Sequence, residues 1–222
     1  MKRAKLIAVD IDGVILKDTF SPVLFNLIKK RGGVYDRETE RNIFSRNQKD
    51  AAKYLIKRLN LQIEADVIIA EYFSERKKFL ENNDGGLIEG AQAMLGRLSE
   101  SGAVLVSYGG LEERLIDNDF NKVKGLFSRY ICTNDFRPGV SYILQKYGVS
   151  PEESIFIDDV NFVAESCKDL GCGFIGMPSN HAWGWQKKDM IDTGVKYIAT
   201  CPDDITLEII KDISSDVKQC FN

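Results

Sequence analysis

The chain has 222 residues, 44% hydrophobic and 28% charged, the balance of a soluble globular protein large enough for one domain with an insertion. Its formal net charge of −3 gives no electrostatic case for nucleic acid or an acidic membrane, and no apolar run approaches transmembrane length. Five cysteines without a Cys-x-x-Cys pair, beside a single histidine, argue against zinc and for reduced thiols in a cytoplasmic protein.

The basic start, Met1 to Lys5, runs into an apolar stretch that stops at Asp10, too short for a signal peptide. Leu6-Ile7-Ala8-Val9 reads as a buried strand, and Asp10-Ile11-Asp12-Gly13 follows at its carboxyl end. Two carboxylates one residue apart suit a hard cation, and the glycine lets the backbone turn close to a ligand. Residues 17–87 then read as all-helical with a basic excess. Ser21-Pro22 starts one helix and Gly32-Gly33 stops it; Ala51, Leu55 and Leu59 repeat at helical spacing; Val67 to Leu80 is a third stretch.

From residue 88 strands and helices alternate. A helix over Ala91 to Leu98 precedes the strand Ala103 to Val106, which runs into Ser107-Tyr108-Gly109-Gly110. The pattern predicts a helix over Leu111 to Lys124, a short strand over Arg129 to Cys132, and a helix from Pro138 to Tyr147. The strand Ser154 to Ile157 stops at Asp158-Asp159. A helix to Leu170, a strand over Gly173 to Ile175, a last strand over Lys196 to Ala199 and a helix over Asp203 to Lys211 complete the pattern. Continuous apolar strands alternating with helices indicate a doubly wound α/β parallel sheet, residues 1–16 and 88–222, interrupted by the helical segment 17–87. His181, Trp183 and Trp185 fall in a long connection and read as a packed loop, with a pocket wall as the other reading. Cys167 and Cys172 read as core.

In such a sheet the strand ends converge on one edge, bringing together Asp10, Asp12, Ser107, Arg137, Asp158 and Asp159. Converging acids repel unless a cation joins them, and carboxylates suit Mg²⁺. The Ser107 hydroxyl and the amides of Tyr108, Gly109 and Gly110 offer donors to an anion, and the Arg137 fork matches a phosphate.

These motifs resemble the haloacid dehalogenase superfamily of mostly Mg²⁺-dependent phosphatases. Asp10-Ile11-Asp12-Gly13-Val14 matches its first motif, Ser107 after a strand its second, and Asp158-Asp159 its fourth; the helical insertion looks like its cap. The resemblance implies Asp10 as nucleophile through an aspartyl-phosphate and Asp12 as general acid, then base. It implies a metal held by Asp10, the Asp12 carbonyl and Asp159, with Asp158 binding directly or one layer out. The third motif is usually Lys; here Arg137 stands in that slot, with Lys146 a weaker substitute, and Tyr108 stands where the family often has Asn. The implied activity is hydrolysis of a small phosphorylated metabolite by a monomer or homodimer. A phosphomutase, or an idle member acting as a binding module, is the alternative. Asp12 argues against the dehalogenase branch, and the order of the motifs against a receiver domain. Lys29, Lys30, Arg31, Arg37, Arg41 and Arg46 are the basic candidates for substrate selection, and Leu16-Lys17 with Gly85-Gly86 the candidate hinge.

Overall fold

The protein, described by a computed structural model over residues 4–82 and 85–222, is built on five parallel strands. They are β1 (Leu6–Asp10), β2 (Val104–Gly109), β3 (Tyr130–Cys132), β4 (Ser154–Asp158) and β5 (Gly173–Gly176), in the order β3-β2-β1-β4-β5. Leu6 pairs with Val104 on one side and Ser154 on the other, so β1 is central, and all five of its residues are buried. Because side chains alternate across a strand, Ile7 and Val9 enter a core with Met94, Leu98 and Ile213, whereas Leu6 and Ala8 enter a second core with Ile143, Val163 and Phe174. Burial on both faces explains why these strands read as unbroken apolar runs. The chain leaves β1 for β2 on one side and later returns to β4 on the other. The carboxyl end of β1 therefore opens at a topological switch point, where α/β sheets bind ligands.

After β1, and before the helix that leads into β2, come four helices, α1 (Phe20–Lys30), α2 (Arg37–Ile43), α3 (Gln48–Arg58) and α4 (Ala65–Asn82). They share a core of their own, including Leu24, Leu27, Ile28, Phe44, Leu55 and Ile68. Helix α2 has no apolar stripe to announce it. It forms because Asp36 caps it, accepting from the Thr39 backbone N–H at 2.9 Å. The two linkers run side by side: Leu16 bridges Leu87 antiparallel, Lys17 N donates to Gly86 O at 3.0 Å and Ile88 N to Ile15 O at 2.9 Å.

The remaining helices are α5 (Ala91–Ser99), α6 (Val140–Tyr147), α7 (Asn161–Leu170), α8 (Gln186–Thr193) and α9 (Leu207–Ser215). Three expectations are corrected. Leu111 to Lys124 forms short 3₁₀ turns rather than a helix, because Asp117 accepts from the Asp119 and Gly86 backbone N–H groups and holds the chain in turns. Lys196 to Ala199 makes only an isolated bridge, Gly176 to Ile198, since β5 itself ends at Gly176. The last helix starts at Leu207, because Thr200 and Cys201 engage the Asp204 carboxylate in a turn and Thr206 caps instead. Among the described residues no helix is long and apolar enough to cross a membrane.

The helical unit is docked on the sheet domain. Gln48 Nε2 donates to Gly110 O and Asn47 Nδ2 to Asn134 O, at 3.0 and 2.9 Å. Farther out, Arg37 pairs with Asp189 and Asp192, and Arg41 with Glu165 at 2.7 Å. Trp183 stacks between Phe25 and His181 with centroids 4.3 and 4.5 Å away, so this connection is a packed strap, and none of His181, Trp183 and Trp185 lines the cavity described below.

Glu40, 1% exposed, accepts from Trp185 N at 3.0 Å and from Gln186 Nε2 at 2.7 Å. Glu40→Ala should leave both donors buried and unpaired and lower stability by about 1–3 kcal/mol in urea titrations. Burial holds this carboxyl above its ordinary range, with Asp189 adding to the rise. The folded state thus binds the proton more tightly than the unfolded chain. Its contribution is complete below the unfolded carboxyl value and lost as pH rises through the raised folded one; Glu40→Gln should flatten that dependence.

Candidate active site

Asp10 is the last residue of β1, and the turn after it is closed by Gly13 N donating to Leu16 O at 2.8 Å. Gly13 sits at φ +93°, and any Cβ there would collide with the Asp159 carboxylate. The glycine is required both by backbone and by the closeness of β1 to β4. Asp10, Asp158 and Asp159 are thereby gathered, all buried.

Burial raises the Asp10 carboxyl well above the usual range; Asp158 adds repulsion and Arg137 opposes it. Asp159 is raised likewise by burial, then by Asp158 and Asp10. Asp158 is pushed up to about 6 by burial, opposed by the Tyr108 hydroxyl, which donates to its Oδ2 at 2.5 Å, and by the Val160 N–H at 2.7 Å. Asp12 is pushed up to about 7 by burial and by Asp18, opposed by Arg76 and by Thr19. The Thr19 backbone and hydroxyl both donate to the Asp12 carboxylate at 3.1 Å, while Arg76 Nε donates to the Thr19 hydroxyl at 3.0 Å. Asp12 is thus held by a relay that begins on α4, a helix of the inserted unit.

Arg137 reaches this cluster from the turn after β3. Its guanidinium lies over Gly110, where any Cβ would collide with it, and Nη1 contacts Ser45 Oγ at 3.5 Å. Its Nε is buried without a partner among the described residues, leaving a donor free for a ligand. Lys146 instead lies at the end of α6 over the Tyr142 ring.

Ser107 is not brought to the cluster. It is fully buried, its hydroxyl 3.5 Å from Arg129 O, and it does not line the cavity. The strand runs two residues past it, because Tyr108 and Gly109 pair with Ile131 and Cys132 of β3. Tyr108 turns into the second core and serves as a support for Asp158 rather than as an amide donor. Gly109 takes the place facing Asp10: a Cβ there would lie 3.8 Å from Asp10 Oδ1. The end of β2 therefore presents backbone, at Gly109, Gly110 and Leu111, and no hydroxyl.

The acids floor a cavity of about 170 Å³ roofed by α1, α3 and α4. Asp159 accepts no hydrogen bond among the described residues, so its oxygens are available to a cation. No three acidic, His or Cys side chains of the described residues form a ready-made cage. That donor set fits Mg²⁺, which takes one or two carboxylates and fills its remaining positions with water and phosphate oxygens. Thr19, Gln48, Tyr72 and Arg76 were not anticipated, since nothing local distinguishes an inward-facing Arg or Tyr on a helix that faces another unit.

No protein-family model and no curated protein matches the sequence. Solved structures do. A HAD hydrolase, family IA, variant 3, from Entamoeba histolytica superposes with TM-score 0.70 at 16% identity, covering 97% of this chain and 100% of that one. CbbY from Rhodobacter sphaeroides, in complex with phosphate, gives 0.66 at 12% identity over 94% and 99%. A phosphonoacetaldehyde hydrolase-like protein from Oleispira antarctica gives 0.68 at 11% identity over 98% and 94%. With its helical insertion after β1 and its acids at the switch point, the chain has the fold of the haloacid dehalogenase (HAD) hydrolases.

Proposed function

We propose that the protein is a Mg²⁺-dependent phosphatase of small phosphorylated compounds, with Asp10 as nucleophile and the helical unit, residues 17–87, as a cap. The observation that carries this reading is the union at one edge of the sheet of three buried carboxyls, an Asp12 held by Thr19 and a single arginine with a free donor. Asp10 Oδ attacks phosphorus and the bond to the leaving oxygen breaks, while Asp12 gives that oxygen its proton. Asp12 then takes a proton from water; the water oxygen bonds to phosphorus, the phosphoryl bond to Asp10 breaks, and phosphate leaves. The ion, held by Asp10, the Asp12 carbonyl and Asp159, with Asp158 beside them, would offset charge on the phosphoryl oxygens. Phosphate release from a panel of phosphorylated sugars, nucleotides, small acids and simple aryl and alkyl esters, with Mg²⁺ and with EDTA, tests the reading; no release from any of them overturns it. Transfer back to substrate without release would identify a phosphomutase, which the roof over Asp10 favours by limiting water.

Arg137 supplies the positive charge that opposes the rise of the Asp10 carboxyl. Arg137→Ala should lower kcat by about 10²–10³-fold, the usual loss for one charge-stabilising donor, and weaken vanadate binding. Arg137→Lys should recover part of both, because charge rather than fork shape is what opposes the acids. Near-normal rates in Arg137→Ala would remove it from the mechanism.

A further inference from the structure

The walls of the cavity differ sharply. Below are the acids and Arg137; above, where a leaving group would sit, are Phe20 and Leu24 of α1, Phe44, Leu55 of α3, and Ile69 and Phe73 of α4. The polar side chains that reach this roof already have protein partners. Gln48 Nε2 donates to Gly110 O at 3.0 Å, and Ser45 Oγ faces Arg137 at 3.5 Å. Arg76 is held by Thr19 and by Leu115 O, at 3.0 and 3.1 Å. Arg46 lies 3.8 Å over the Phe162 ring and donates to Arg41 O at 3.2 Å.

The other basic candidates are engaged elsewhere: Lys30 with Glu75, Arg31 with Glu71, Arg37 with Asp189, Arg41 with Glu165, and Lys29 over Phe25. Tyr72 is the exception. It lines the cavity and its hydroxyl makes no hydrogen bond among the described residues, so one donor remains for a ligand.

A polyhydroxylated leaving group entering this roof would give up its water with only the Tyr72 hydroxyl to receive it, a penalty on the order of 10²-fold for an unpaired hydroxyl. An apolar group gains by the same transfer. The whole cavity, floor included, is about 170 Å³, so a phosphoryl group on the acids leaves room above it only for a small leaving group.

We infer that the substrate is a phosphate monoester whose leaving group is apolar, a single ring or a short alkyl chain, rather than a sugar, a polyol or a nucleoside. This rests on the phosphatase reading for its chemistry, but the roof can be tested without it.

The test compares kcat/KM with Mg²⁺ for benzyl and butyl phosphate against glycerol 3-phosphate and glucose 6-phosphate, all esters of primary alcohols. The benzyl ester should exceed the glycerol ester by about 100-fold or more. Ile69→Asn, at a half-buried position in the roof, should raise KM for the benzyl ester and narrow the benzyl-to-glycerol ratio of kcat/KM about tenfold; an unmoved ratio would overturn the inference. Glycerol or glucose esters equal to or better than the benzyl ester would overturn the inference while leaving the phosphatase reading intact. If no ester is turned over, the phosphatase reading fails. Calorimetry with benzylphosphonate and 2,3-dihydroxypropylphosphonate then decides the roof: tighter binding of the benzyl compound by about tenfold upholds it, and equal or weaker binding overturns it.

Discussion

Asp10→Asn should abolish turnover, with kcat falling by roughly 10⁵-fold or more, the scale seen when a hydrolase loses its nucleophile. An amide cannot form the acyl phosphate, and its oxygen is a poorer metal ligand than a carboxylate. The variant should nevertheless fold, and without Mg²⁺ it should be at least as stable as the native protein. Asp10 is buried against Asp158, so removing one charge relieves a repulsion that the metal-free protein carries. The stabilisation given by Mg²⁺ should shrink in parallel. Thermal melts with and without Mg²⁺, beside single-turnover assays, check both halves. A folded Asp10→Asn protein with substantial activity would refute the assignment of the nucleophile.

Asp12→Ala should lower kcat by about 10²–10⁴-fold, the ordinary worth of general acid–base catalysis. Both phosphoenzyme formation and breakdown should slow, because the same carboxyl gives the proton in the first step and takes one in the second. Asp12 is held up to about 7, so it carries its proton below that value and loses it above. The acid-requiring first step should therefore decline as pH rises through about 7 in the native protein. In Asp12→Ala that limb should be missing. An unchanged rate and profile would mean that Asp12 only shapes the turn and offers its carbonyl.

The parts of this architecture that depend on short-range pattern were legible in the sequence. The apolar runs gave β1 and β4, and the acids at their ends do meet, because adjacent parallel strands in register must bring their carboxyl ends together. Ser107 was misplaced for a complementary reason. A polar residue after four apolar ones reads as the end of a strand, but the end of β2 is set by its partner, and β3 holds Tyr108 and Gly109 in the ladder. Leu111 to Lys124 misled in the same way, since its helical spacing yields to the capping carboxylate of Asp117. The roof was not legible at all. Phe44, Leu55 and Ile69 look like helix-core residues from either side of the interface, and only docking of one unit on the other turns them into a cavity wall.

The paired linkers bear on how the chain reaches this state. β1 and β2 are neighbours in the sheet, yet the whole helical unit separates them, with Leu6 opposite Val104. In an unstructured chain, bringing those strands together closes a loop of about a hundred residues, and the entropy of closure grows by about 0.6 kcal/mol for each doubling of length. Once α1 to α4 have collapsed on their shared core and Leu16 lies against Leu87, the loop still to be closed is about a quarter as long. The two doublings removed are worth about 1.2 kcal/mol, nearly tenfold in the rate of pairing the central strands. A segment whose proposed role is to cover the site thus also shortens the search by which the sheet beneath it assembles.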